Sequence, residues 1–262
     1  MARYLLRVLA VGYVSALLLI PLAIVFKRAF GDGFDAAWEA VTTPAAKHAF
    51  LLTILIAAVA VPCNTIFGIL CALAIVRRRF PGHGLVNSAV DLPLALSPVV
   101  VGLALLLLYG REGWFGGWLL DHGYRVIFAL PSMILATIFV SLPFVVREVV
   151  PVLREIGDEQ EQAAATLGAS SWQTFWRVTL PAIRWGVAYG VVLTTARALG
   201  EFGAVSVVSG RIAGRTETLT THVGERFEAF DLVGAYAASV VLALLAMGTL
   251  LLLTVFQRKE TS

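Results

Sequence analysis

The sequence predicts an all-α polytopic membrane protein of about six transmembrane helices. Three observations carry that prediction. Of 262 residues, 59% are hydrophobic and only 14% are charged, with a mean hydropathy of +0.85, which leaves too little polar surface for a water-soluble domain of this length. The apolar residues gather into runs close to the roughly 20 residues a helix needs to cross a bilayer. The stretches between those runs hold most of the charges and many of the glycines.

Taken in order, the first run covers about residues 5–26. Arg3 and Arg7 precede it as they would a secretion signal, but no small-residue cleavage site follows, since Lys27 and Arg28 come next. It is read as a first transmembrane helix. The second run, about 49–76, holds Cys63 and Cys71. Their separation along one helix is roughly 12 Å, beyond disulfide reach, so two buried thiols packing as small hydrophobes are expected. The third and fourth runs, about 89–109 and 126–146, contain Pro93, Pro98, Pro131 and Pro143, which should kink or interrupt helices. Asp91 stands alone at the end of the third. Residues 110–125 lie between these runs, and their glycines and tryptophans suit a membrane interface. The fifth run is about 183–208 and the sixth about 232–256. The four histidines, His48, His83, His122 and His222, show no metal-ligand spacing. No basic arm suggests nucleic acid.

An even number of spans puts both termini on one side. The triplet Arg77-Arg78-Arg79 in a short loop is the best orientation signal, because short loops weigh most in the positive-inside bias. Both termini are expected to be cytoplasmic. The longest polar stretch, residues 147–182, is then cytoplasmic as well.

Within that stretch, residues 158–181 read DEQEQAAATLGASSWQTFWRVTLP. Asp158 followed by Glu161 looks like a capping-box helix start, and first-turn acids suit the helix dipole. Ala163, Ala164, Ala165 and Leu167 continue a good helix, and Gly168 stops it. Ser170 with Gln173 caps a second short helix carrying Trp172, Phe175 and Trp176. Leu180-Pro181 begins re-entry into the membrane, with Pro181 in a first-turn position. The expected unit is a compact cytoplasmic helix–turn–helix with small residues for close docking. An ordinary amphipathic helix lying on the lipid surface is the plainer alternative.

This spacing resembles the coupling-loop motif of ABC importer permeases: E-A-A, three residues, G, nine residues, I-x-L-P. It falls on Gln162-Ala163-Ala164, Gly168, Val178 and Leu180-Pro181. Gln162 stands where the motif has an acid and Val178 where it has Ile. Glu161, next to Gln162, could substitute in part. Three further segments, 91–116, 127–153 and 196–210, are similar to the sulfate/thiosulfate branch and within it to the W-type permease subunits. The last is shared in outline with molybdate and tungstate permeases.

The resemblance implies a type I ABC importer (MetI-like) permease fold and a division of the chain. Residues 1–44 would form an N-terminal transmembrane helix and outer loop. Residues 45–256 would form the permease domain, with the coupling loop at about 147–182, and 257–262 a cytoplasmic tail. It implies a multi-pass protein of the bacterial cytoplasmic (inner) membrane that imports sulfate or thiosulfate by alternating access. The implied partners are a second homologous permease, two ATP-binding subunits and an extracytoplasmic sulfate-binding protein. The chain has no phosphate loop of its own. ATP and Mg would therefore be bound, and hydrolysed, by the partner ATPase, with no cofactor or metal on this chain.

The fifth run carries the candidate pathway residues. Arg197 and Glu201 lie inside a span, where each charge costs roughly 2.5–3.5 kcal/mol on insertion scales. Spaced i, i+4, they can meet on one helix face. Gly186 and Gly190 in the same run, with Ala196, Gly200 and Ala204, permit close helix packing and place this helix centrally. Arg197 either lines the cavity and attracts a dianion or simply pairs with Glu201. Ser97, Asn64 and Thr53 either line the cavity or satisfy nearby backbone. Arg211 and Arg215 lie in an outer loop, either as a docking surface or simply solvated. Besides a molybdate or tungstate permease, two other classes compete. A membrane enzyme would need a Ser/His or paired-Asp constellation within the spans, and none is present. A proton-coupled anion carrier could use Arg197 and Glu201 but would leave the coupling loop without a purpose.

Overall fold

The computed structural model describes residues 2–78 and 81–258. Arg79 of the basic triplet and residues 259–262 of the tail lie outside the described residues. The described chain is helical, without strands.

Helix α1 (Ala2–Ala29) is followed by a short α2 (Phe34–Thr42) and a long α3 (Pro44–Arg77). Pro44 opens α3, where the missing N–H costs nothing, and the Thr43 hydroxyl accepts from Ala46 N at 3.2 Å. With 34 residues α3 is ~51 Å long. That exceeds the ~30 Å hydrocarbon core, so the helix projects beyond it. Next come α4 (His83–Ala95), α5 (Pro98–Tyr109), the short α6 (Gly116–Asp121) and α7 (Leu130–Ile156). The loop elements are α8 (Glu159–Thr166) and α9 (Ser171–Thr174), after which a π-helical stretch (Phe175–Thr179) leads into α10 (Leu180–Leu199). The chain ends with α11 (Gly203–Val208), α12 (Leu219–Glu228) and α13 (Leu232–Arg258).

Among the described residues four helices are long and apolar enough to span a membrane: Leu6–Ala29, Pro44–Arg77, Leu130–Ile156 and Leu232–Leu251. The third predicted span is α4 and α5, bent by 111° at Leu96–Ser97, which brings the number to five if the pair is one span. The fifth predicted span is also divided. Helix α10 ends at Leu199, and α11 starts only at Gly203. Of the prolines expected to disturb helices, only Pro98 follows a break. Pro131 sits in the first turn of α7, while Pro93 and Pro143 lie inside continuous helices.

In a bilayer, association depends on close packing more than on hydrophobic transfer. Here α3, α7 and α10 converge on Val145. A Cβ on Gly68 would lie 2.7 Å from Val145 Cβ, and one on Gly190 would lie 2.8 Å from Val145 Cα. A Cβ on Gly186 would lie 3.0 Å from Glu148 O. The Gly186/Gly190 pair thus does what its spacing predicts and makes α10 central. One buried cluster, including Ile75, Val149, Leu153 and Ile183, fills the end near the 147–182 loop. Another, including Leu52, Met133, Val140 and Val205, fills the opposite end. The cysteines meet the expectation only in part. Both are free; Cys63 is exposed, while Cys71 is partly buried and packs against the cluster that holds Val145 and Leu153.

Candidate functional site

The 158–181 loop folds from its local signals. Gly168 takes φ +84°, and the Ala169 and Gly168 N–H groups donate to Ala164 O at 3.1 Å and Ala165 O at 3.0 Å. This closes α8 in a Schellman turn. Ser170 Oγ accepts from Gln173 N at 3.4 Å, and Gln173 Oε1 accepts from Ser170 N at 2.9 Å, the reciprocal pair expected of a capping box. Trp172 and Trp176 pack edge to face with centroids 5.5 Å apart, and both are exposed. Pro181 occupies the first turn of α10. The second helix of the loop does not stop before the membrane, however. It runs through the π-helical stretch, where Leu180 N donates to Phe175 O, and continues as α10. Val178 lies in that stretch, partly buried.

The capping box expected from Asp158 and Glu161 does not form. Asp158 precedes α8 but makes no side-chain cap bond, and Glu161 turns the other way. Its carboxylate accepts from Arg77 Nε at 3.0 Å and Nη2 at 3.2 Å, and from the Thr179 hydroxyl at 2.9 Å. Arg77 also donates to Leu153 O at 3.0 Å and Gly157 O at 2.6 Å. These carbonyls belong to the last turn and C-cap of α7, which a cation satisfies well. Glu161 is therefore no stand-in for an exposed acid at 162. The outward surface of the unit includes Gln162, Ala163, Thr166 and Leu167 with the two tryptophans, and Leu167 is 89% exposed. Ala164 is partly buried. A groove of about 450 Å³ separates the C-terminal end of α3 from this loop.

The pathway candidates are scattered. Arg197 Nη1 meets Glu201 Oε2 at 2.6 Å, with the side chains 29% and 1% exposed. The pair does not share a helix face, because Glu201 lies past the end of α10. Its Oε1 accepts from Ala204 N at 2.8 Å and so caps α11. The Glu201 backbone carbonyl accepts from the Thr220 hydroxyl at 2.7 Å. Asn64 is fully buried and donates to Ile138 O at 3.1 Å and Ser141 Oγ at 2.8 Å, joining α3 to α7. Thr53 accepts from Leu219 N at 2.8 Å and so satisfies neighbouring backbone. Ser97 is exposed at the α4–α5 bend. Arg211 pairs with Glu225 at 3.5 Å and sits 5.7 Å over the Phe202 ring, while Arg215 is exposed.

Two buried or half-buried pairs escaped sequence reasoning. Asp91 is not alone. Arg147 of α7 forks onto its carboxylate, with Nε 2.6 Å from Oδ1, and also reaches Asn87. Arg147 opens the polar stretch 147–182 in the sequence, but it lies within α7, which continues to Ile156. Glu217 and His222, 2% and 1% exposed, lie within 3.0 Å of each other. The only sequence signal for them is the hydroxyl-rich run Thr218–Thr221 between Glu217 and His222.

Comparison with known proteins agrees with this architecture. A profile described as "Binding-protein-dependent transport system inner membrane component" matches residues 64–261. The chain is 50% identical over 257 residues to the sulfate transport system permease protein CysW of Synechocystis sp., covering 98% of this chain and 93% of that one. It is 48% identical to the Escherichia coli K12 protein of the same name, over 92% of this chain and 83% of that one. It is 41% identical to the sulfate transport system permease protein CysT of E. coli K12, over 88% of this chain and 84% of that one. Among solved structures, a bacterial ABC transporter that imports alginate superposes with a TM-score of 0.80 at 20% identity, covering 100% of this chain and 96% of that one. At that identity the likeness speaks for the fold alone. By the extent of the profile match and the identity to its relatives, the chain belongs to the inner-membrane permeases of binding-protein-dependent transport systems, the type I ABC importer family, in which it is a transport subunit and ATP hydrolysis falls to separate chains.

Proposed function

We propose that the chain is the W-type permease subunit of an ATP-driven sulfate importer. One observation carries the reading: identity to CysW proteins is 48–51%, against 35–41% to CysT proteins. A CysT-like chain then supplies the second permease. Two ATPase subunits bind ATP and Mg and receive the exposed face of α8 and the Trp172/Trp176 edge. An extracytoplasmic sulfate-binding protein delivers the anion, and both termini are cytoplasmic. Arg197 acts first as the counter-ion of buried Glu201, which leaves no tight fixed anion site to slow release. The working cycle is rigid-body motion biased by nucleotide bound elsewhere.

The test is uptake of labelled sulfate in cells with and without the chain, with unlabelled thiosulfate and molybdate as competitors. The reading predicts uptake that needs the chain and is suppressed far better by thiosulfate than by molybdate. Chain-dependent uptake suppressed best by molybdate would move the assignment to molybdate or tungstate.

A further inference from the structure

Helix α8 has eight residues and buries none of them. A helix this short does not persist on its own. The Schellman turn and the capping box set the loop's local shape but do not attach α8 to the bundle. What attaches it is Arg77, which sits at the last residue of α3, 84 positions before Glu161. Its guanidinium reaches two separate pieces of chain. It forks onto Glu161 of α8 and donates to the Leu153 and Gly157 carbonyls at the end of α7. Through Glu161 it also connects to Thr179 in the π-helical stretch below α10, and Thr179 is itself only 4% exposed. The Arg77 and Glu161 side chains are 17% and 22% exposed. A planar fork that is mostly out of water resists both rotation and translation, which a single lysine contact would not.

We propose that Arg77 and Glu161 are positioning residues that form a strut, carrying displacement of α8 to the ends of α3, α7 and α10. The acid at 161 therefore acts inside the permease, and the neutral Gln162 amide is what α8 presents to the ATPase. The strut rests on the coupling role of this loop and not on which oxyanion is carried.

The test uses the assembled importer, both permeases with their ATPases, with Cys63 and Cys71 replaced by Ser. Spin labels go on the exposed positions Thr166→Cys and Ile66→Cys. The parent should give one narrow distance distribution with and without ATP, since α8 moves with α3 as one body. In Glu161→Gln the distribution should broaden and become nucleotide-dependent. Uptake per ATP hydrolysed should fall roughly tenfold, within the range spanned by a lost coupling free energy. Arg77→Lys, which keeps the charge without the fork, should fall between the two. A narrow distribution and parent-like uptake per ATP in Glu161→Gln would overturn the strut. So would loss of the ATPase subunits from a Glu161→Gln permease whose distribution stays narrow, because that places Glu161 on the docking face. Should Glu161→Gln not accumulate, parent-like values in Arg77→Lys overturn it equally. A parent that carries no sulfate counts against the substrate reading, while the label distances still decide the strut.

Discussion

Replacing Arg197 by Ala leaves the Glu201 carboxylate, 1% exposed, without its cation. Breaking a buried pair from one side costs about 3–5 kcal/mol. Arg197 keeps 29% of its side chain in contact with solvent, so water already screens part of the attraction and about 2–3 kcal/mol is expected. For a chain of this size that lowers an apparent Tm by about 5–10 °C. Glu201→Gln should cost less. A glutamine oxygen can still accept from Ala204 N, and the freed guanidinium can be hydrated. The double variant Arg197→Ala/Glu201→Gln removes the stranded charge and should regain most of the lost stability. The assays are heat challenge of the detergent-solubilised importer followed by size exclusion, and uptake by the same variants. If Arg197 is chiefly a counter-ion, uptake collapses in the single Arg197 variant and largely returns in the double. A double variant as heat-stable as the parent but transporting nothing would refute that reasoning and put Arg197 in the anion's path.

Two packing predictions follow from the glycines. Gly190→Ala gains up to about 1 kcal/mol of helix propensity but forces its Cβ to 2.8 Å from Val145 Cα, an overpacking that costs about 1–3 kcal/mol. Gly248→Ala in α13 meets nothing within 4 Å, so heat challenge should show Gly190→Ala less stable than the parent and Gly248→Ala no worse. Gly168 is needed for its φ of +84°, with open space around it. Gly168→Val should therefore reduce ATPase co-purification by disordering the α8 turn, at about 1–2 kcal/mol of backbone strain, while Gly168→Asn, which visits that region more readily, should be milder.

Features encoded within a few residues were legible beforehand. The Gly168 stop, the Ser170/Gln173 box, Pro181 at the start of α10 and the Gly186/Gly190 face all depend on local geometry, and the structure has each of them. Long-range features were not legible. Glu161 reads as a capping acid until Arg77, far away in sequence, is brought beside it. Asp91 reads as isolated until α7 delivers Arg147. The i, i+4 spacing of Arg197 and Glu201 suggests a shared helix face, but α10 ends between them. Hydropathy cannot separate a straight span from α4 and α5, because both halves of the bent pair are apolar. It also cannot tell which face of α3 is covered, so Cys63 looked buried.

The most direct test of the central claim is sulfate uptake into proteoliposomes holding the full importer, with the binding protein outside, ATP trapped inside and the proton gradient collapsed by a protonophore. Orientation should be selected so that the ATPase subunits face the lumen. An ATP-driven importer accumulates sulfate under these conditions and stops when the lumenal ATP is replaced by a non-hydrolysable analogue. Accumulation that needs the proton gradient and ignores ATP would contradict the account and make the chain a proton-coupled anion carrier.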